Sequence, residues 1–163
     1  MIRLDMSETN KIIIQRLPLL QVVSLRQLFT DAVHSSFTYF NQSVQDKTIR
    51  SHSSRHLVSA IINPRRVILT ASMGKTLIGY AIGSVPKGRA GQMYWLYVVP
   101  GVRGQNTGLA LLSRLLKAER ALGAETVSLA TYDHRNYYER QGFRFIETTT
   151  VDGVKMDIMR FYL

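Results

Sequence analysis

The chain of 163 residues contains no cysteine. Disulfides, thiolate metal sites and covalent catalysis through a cysteine are therefore excluded. Acidic residues are scarce, with 11 Asp and Glu against 21 Lys and Arg and a formal net charge of +10. That imbalance repels strongly cationic molecules such as polyamines and suits an anionic partner: an acidic protein, a nucleotide or an aminoacyl-tRNA. Dispersed basic residues also serve solubility, and no Arg/aromatic run resembling an RNA-binding motif is present. No apolar run approaches membrane-spanning length, so no membrane partner is expected. The opening MIRLDMSETNK, with its acidic residues, is unlike a secretory or transit peptide, so a cytoplasmic location is expected, with Met1 and Met6 both candidate starts. The histidines His34, His52, His56 and His134 show no metal-ligand pattern. His52 and His56 stand four apart in a predicted helix and read as a solvated face, and no metal site is expected.

What is present is an ordinary hydrophobic fraction of 45% in a length suited to one core. Residues 1–163 are expected to form a single domain burying roughly 70% of the unfolded surface. Periodicity predicts a strand over Lys11–Arg16, a helix over Leu19–His34, an aromatic, hydroxyl-rich irregular segment over His34–Ser43, and a second helix over Gln45–Ile62 ending before Pro64. Strands follow at Arg66–Met73, Thr76–Val85 and Gln92–Val99, then a helix over Thr107–Leu122 closed by Gly123, and a strand over Glu125–Thr131. After a short helix near Tyr138, the strands Arg144–Thr150 and Val154–Tyr162 flank Asp152-Gly153, whose residue types favour the positive φ angles of a tight hairpin.

The segment LYVVPGVRGQNTGLALLSRLL, Leu96 to Leu116, carries the most chemistry. A strand passes through Pro100 into a basic loop that opens an amphipathic helix. Such a helix start leaves backbone N–H groups unpaired and aims the positive dipole end outward, and Arg103 adds a full charge, so the loop is a candidate anion cradle. Downstream lies NYYERQGFRF, Asn136 to Phe145. Alone, the loop is equally a plain connection and Tyr138 a core aromatic; their order and their separation of about thirty residues give them joint meaning.

Together these stretches resemble two motifs of the Gcn5-related N-acetyltransferase superfamily. Arg103, Gly104, Gln105, Asn106, Thr107 and Gly108 correspond to the loop that binds the pyrophosphate of coenzyme A. Tyr138, Gly142 and Phe143 correspond to the aromatic-Tyr-x-x-x-Gly-Phe stretch. The order of elements fits that superfamily over essentially the whole chain, with the specific motifs confined to Val98–Phe143. The resemblance implies an α/β (α+β) fold with a mixed, mostly antiparallel central sheet of about six to seven strands and helices on both faces. It also implies an N-acyltransferase that moves an acetyl group from acetyl-CoA to an amine acceptor, small molecule or protein, by direct attack on the thioester. Tyr138 is then the catalytic acid that protonates the departing thiolate, a role chemically reasonable for a phenol of ordinary pKa near ~10. Val98, Val99, Arg103, Gly104, Gln105, Asn106, Thr107, Gly108, Leu109 and Asn136 are the cofactor-binding candidates, and a backbone N–H at the end of the Gln92–Val99 strand polarises the carbonyl.

The chain departs from the family's pattern at three places. Asn106 stands where the motif has its first glycine; Asn tolerates a left-handed backbone or caps a helix. The family's glutamate base is missing from Gln92–Val99, where Met93, Tyr94, Trp95, Leu96 and Tyr97 stand instead. An amine of pKa near ~10.4 must nevertheless lose a proton, and the candidates are an ordered water, Tyr94 or Tyr97 through water, Asp133, His134 and Glu147. The asparagine usual six or seven residues before the tyrosine is replaced by Tyr132 and Thr131, with Asn136 a stand-in. These departures leave open a non-catalytic acyl-CoA-binding or nucleic-acid-binding module on the same fold. The acceptor and the oligomeric state are not legible from residue types.

Overall fold

The computed structural model describes residues 11–163, so Met1 and Met6 lie outside the described residues. Seven strands, β1 (Ile12–Arg16), β2 (Arg66–Met73), β3 (Thr76–Ser84), β4 (Ala90–Val98), β5 (Thr126–Thr131), β6 (Arg144–Val151) and β7 (Val154–Tyr162), form one sheet in the order β1-β2-β3-β4-β5-β7-β6. Every neighbouring pair is antiparallel except β4 and β5. The expected mixed, mostly antiparallel sheet is present, with seven strands.

Both faces of the sheet centre are covered, which explains why β2 and β3 read as nearly continuous apolar runs instead of alternating ones. On one face α1 (Val22–Ser36) and α3 (Ser54–Ile62) bring Leu25, Phe29 and Leu57 against Ile68, Tyr80, Ile82 and Tyr97. On the other, α4 (Thr107–Ala121) and α5 (Arg135–Arg140) bring Leu111, Leu112, Leu115 and Tyr138 against Val67, Leu69, Met93, Val127 and Met159. The three α4 leucines are 0–1% exposed, and truncating any one to alanine costs about 2–5 kcal/mol.

The predicted helix over Gln45–Ile62 is instead two helices, α2 (Gln42–Ser51) and α3. Ser51 Oγ donates to the Thr48 carbonyl at 2.8 Å, and His52 Nδ1 donates to the same carbonyl at 2.9 Å. These side-chain bonds compete with the helix ladder, and Ser53 turns extended (φ −61°, ψ 159°) to start α3. The break corrects the reading of His52 as part of a solvated face. Its ring stacks on Phe29 at 4.0 Å, and burial lowers its pKa, whereas His56 is exposed on α3. α2 starts at Asn41, whose side chain accepts from the Val44 N–H at 3.0 Å.

α4 also buries a carboxyl. Glu119 is 0% exposed, and its oxygens rest against Gly83 and Gly91, where a Cβ on either glycine would collide with them. Neither oxygen has a well-formed hydrogen bond. Burial lifts the carboxyl to a pKa of about 8, with a partial offset from the Ser84 N–H. The hairpin between β6 and β7 turns through Asp152 (φ 48°) and Gly153 (φ 82°), both left-handed as the Asp-Gly pair predicts.

Candidate active site

β4 and β5 pair only at their starts, Ala90–Gln92 against Thr126–Ser128, although β4 continues to Val98 and β5 to Thr131. Beyond that vertex they separate. A bulge accompanies the separation: Ile82 faces Trp95 and Gly83 faces Met93, leaving Tyr94 as the extra residue of β4, and bulges bend and twist a strand. The Val99 N–H donates to the Ile78 carbonyl of β3 at 2.9 Å. Alternation along the strand therefore turns the Leu96 and Val98 N–H groups the other way, into the gap left by β5.

The gap opens into a cleft of about 1260 Å³ that collects the loop, the start of α4, β4 and α5. Asn106 precedes α4 with φ 61° and ψ 9°, the left-handed conformation a glycine would supply, and its side chain makes no capping bond. Asn thus serves here through its backbone tolerance. The next residue, Thr107, is 3% exposed, with a hydroxyl that has no hydrogen-bond partner. A buried hydroxyl left unpaired at a helix start beside free N–H groups is a donor set suited to an anionic oxygen. At Gly108 an added Cβ would stand 3.6 Å from Tyr137 Oη and 3.8 Å from Val98, so the position is ordinary in space. Arg103 bends back: its Nε donates to the Val98 carbonyl at 2.9 Å, and its guanidinium lies 5.7 Å from the Tyr97 ring centre.

Of the other cofactor-binding candidates, Val98, Gly104 and Leu109 line the cleft with these residues. Gln105 and Asn136 are exposed and are not among the lining residues, nor is Val99, whose N–H is engaged by β3.

Tyr138 comes to the same cleft from α5. That short helix starts where the His134 N–H donates to Thr131 Oγ1 at 3.2 Å, and it ends at Gly142, φ 90°. Tyr138 is 7% exposed, packed edge-on against Phe143 at 5.5 Å and Tyr137 at 5.1 Å. Burial raises its pKa well above the usual phenol value, so the hydroxyl stays protonated near neutrality and keeps a proton to donate.

The opposite wall is aromatic. Between α1 and α2, Phe37 faces Trp95 and Tyr97 of β4, and Tyr39 stacks on Tyr132 of the β5–α5 connection with ring centres 4.5 Å apart. The HSSFTYFNQS stretch signalled a special loop, but nothing in the sequence paired Tyr39 with Tyr132. Burial and the Asp133 carboxylate push Tyr39 up to about 12, which removes it as a base. Among the proposed bases, Glu147 is exposed on β6 and does not line the cleft. Tyr94 hydrogen-bonds Ser84 (Oη–Oγ 2.9 Å). Asp133 and His134 line the cleft, with Nδ1 and Oδ1 3.1 Å apart. Asp152, at the hairpin tip, is a second lining carboxylate that residue types alone did not single out.

Among the described residues no helix is long and apolar enough to cross a membrane, and no group of three or more His, Asp or Glu gathers as a metal site.

An uncharacterized N-acetyltransferase of Mycobacterium bovis is 29% identical over 102 residues, 60% of this chain and 65% of that protein. One from Mycobacterium tuberculosis (strain H37Rv) matches to the same extent; the matched segment spans about 65% of the length of these relatives. Among solved structures, the PaiA N-acetyltransferase of Thermoplasma acidophilum, in complex with coenzyme A, superposes with a TM-score of 0.78 at 19% identity, covering 94% of this chain and 99% of that one. A ribosomal-protein-alanine N-acetyltransferase from Brucella melitensis gives 0.69 at 17% identity, covering 93% and 99%. At such identities the likeness is one of fold, but the sequence model of the Acetyltransferase (GNAT) family matches residues 25–143, and the chain belongs to that family.

Proposed function

We propose that this protein is an acetyl-CoA-dependent N-acetyltransferase. The observation that carries the reading is the convergence, in one cleft, of a strand edge with free N–H groups, a helix start with an unpaired buried hydroxyl, and a buried protonated phenol. Coenzyme A fits this arrangement: its pyrophosphate matches the N–H groups of the Arg103–Gly108 loop and the Thr107 hydroxyl, and its amide-bearing arm matches the Leu96 and Val98 N–H groups. When bound, acetyl-CoA supplies an acetyl thioester open to attack by an amine. Whichever of the Leu96 and Val98 N–H groups the arm leaves free stands ready to stabilise charge developing on the carbonyl oxygen. Tyr138 donates its proton to the leaving sulfur. The acceptor amine enters along the aromatic wall of Phe37, Tyr39, Trp95 and Tyr97, and Asp133 with His134 at the cleft mouth takes up the proton the amine sheds, directly or through water.

Calorimetric titration with acetyl-CoA tests the binding half. One site per chain is expected, and Thr107→Val, which keeps shape and removes the hydroxyl, should weaken it roughly tenfold. Release of free thiol in the presence of a panel of primary amines tests turnover. Tyr138→Phe should lower kcat about 100-fold while leaving acetyl-CoA affinity within about twofold. An unchanged kcat removes Tyr138 as the acid, and absence of acetyl-CoA binding removes the whole reading.

A further inference from the structure

The sheet's register draws one residue from each of six strands into a single line. Arg66 of β2 pairs with Ser84 of β3, Ser84 with Gln92 of β4, and Gln92 with Ser128 of β5. Ser128 pairs with Arg160 of β7, and Arg160 with Arg144 of β6. Paired residues share a face of a sheet, because successive side chains alternate. The chain neighbours Val67, Met93, Val127, Met159 and Phe145 pack in the core beneath α4 and α5, so the line occupies the other face. There α1 and α3 pack on β3 and β2; the line's two ends, Arg66 and Arg144, and Gln92 within it are exposed, Ser128 and Arg160 are half-buried, and Ser84 is buried. Six paired strands give it a length of about 24 Å at ~4.8 Å per step.

The line contains three guanidiniums, three neutral polar groups and no carboxylate. Among the described residues none of Arg66, Arg144 and Arg160 forms a salt bridge. Register places Glu147 two rungs away, opposite Ile158, and among the described residues it too forms none. Arg144 directly opposite Arg160 is a like-charge pair that the fold itself does not compensate; Arg160 Nε has only the neutral Ser128 Oγ at 3.2 Å. Two exposed aromatic rings accompany the arginines. Tyr94, 43% exposed, lies 5.5 Å from the Arg66 guanidinium, and Tyr162, 54% exposed, lies 5.5 Å from that of Arg144.

Guanidinium forks suit phosphate oxygens, and exposed rings beside them suit unstacked bases. An acidic peptide would satisfy the arginines without using the exposed area of the two rings, and a single small anion would cover only a fraction of the line. We infer that this line is a docking surface for single-stranded nucleic acid, with phosphates on Arg66, Arg160 and Arg144 and bases on Tyr94 and Tyr162. The surface stands independently of acetyl transfer. Gln92 and Tyr94 also line the cleft, so a docked strand runs up to the cleft's edge.

The test is fluorescence anisotropy with labelled oligouridylate and oligothymidylate of about 12 nucleotides, within the site sizes usual for single-strand binders. Acetyl-CoA is kept in excess to occupy the loop at α4. Three phosphate contacts predict a salt slope near −2, so raising salt from about 50 to 200 mM should weaken binding roughly 20-fold. Arg144→Ser combined with Arg160→Ser should weaken it by about tenfold or more and flatten the slope toward about −0.7. Removing the same charge from the far face, Lys117→Ser with Arg120→Ser, should change affinity less than about twofold. Three results overturn the surface: no saturable binding at low salt, equal loss in both double variants, or equal displacement by polyglutamate, which would identify an acidic polypeptide as the partner instead. Oligonucleotide binding by a chain that fails to bind acetyl-CoA would refute the proposed enzyme and leave this surface standing.

Discussion

Replacing Glu119 by Gln keeps the side chain's size and removes its titration. In the folded chain the carboxyl has a pKa of about 8 against an ordinary 4.5, because burial disfavours the charged form. The shift is upward for an acid, so the folded state holds the extra proton. Its contribution to stability is intact below pH 4.5, declines as pH rises, and is fully lost above pH 8. At pH 7 the unfolded chain is about 2.5 units above its own carboxyl pKa while the folded carboxyl is still largely protonated, which at 1.36 kcal/mol per unit amounts to about 3 kcal/mol. Urea unfolding followed by the fluorescence of Trp95, the single tryptophan, gives the measurement at several pH values between 5 and 8. His52, whose pKa burial lowers, titrates in both chains and favours the folded state as pH rises, so the informative quantity is the difference between variant and parent. That difference should grow by about 3 kcal/mol in favour of Glu119→Gln from pH 5 to pH 7.5. Parallel profiles, or a gap that widens toward acid, refute the assignment of a neutral buried carboxyl.

Asn106→Gly should preserve the loop and acetyl-CoA affinity, whereas Asn106→Ala must hold alanine at φ 61°. The cost of about 1 kcal/mol should appear as roughly 5–10-fold weaker binding in calorimetry; equal affinities for the two variants would show that the left-handed backbone is unimportant to the cradle. Gly142→Ala combines a φ of 90° with a new Cβ 3.1 Å from the Phe161 ring, while Gly88→Ala has a φ of 110° and open space. The first should lower stability by about 1–3 kcal/mol and the melting temperature by roughly 2–4 °C per kcal/mol. Gly88→Ala should lose less, and a thermal melt showing equal losses would remove the role given to the contact with Phe161.

Local chemistry made much of the fold legible. Alternation and apolar runs marked all seven strands, Asp152-Gly153 marked the final turn, and the leucines of α4 marked its buried face. The break at His52 was not legible, because it depends on which carbonyl Ser51 and His52 choose, a competition settled by packing against Phe29. Glu119 continues the buried face of α4 four residues after Leu115, so its position was readable. Its neutrality was not, because the space it fills is left by Gly83 and Gly91, distant along the chain.

The sequence by itself determined the seven strands and the long helix α4, and it marked the Arg103–Gly108 loop and the phenol at Tyr138 as candidates, because short-range backbone preference and residue type carry that information. Only the tertiary structure decided the vertex where β4 leaves β5, the stacking of Tyr39 on Tyr132, and the alignment of Arg66, Arg160 and Arg144. These follow from strand order and register, which join residues nearly a hundred positions apart through hydrogen bonds made by the backbone, and backbone groups are the same in every residue but proline.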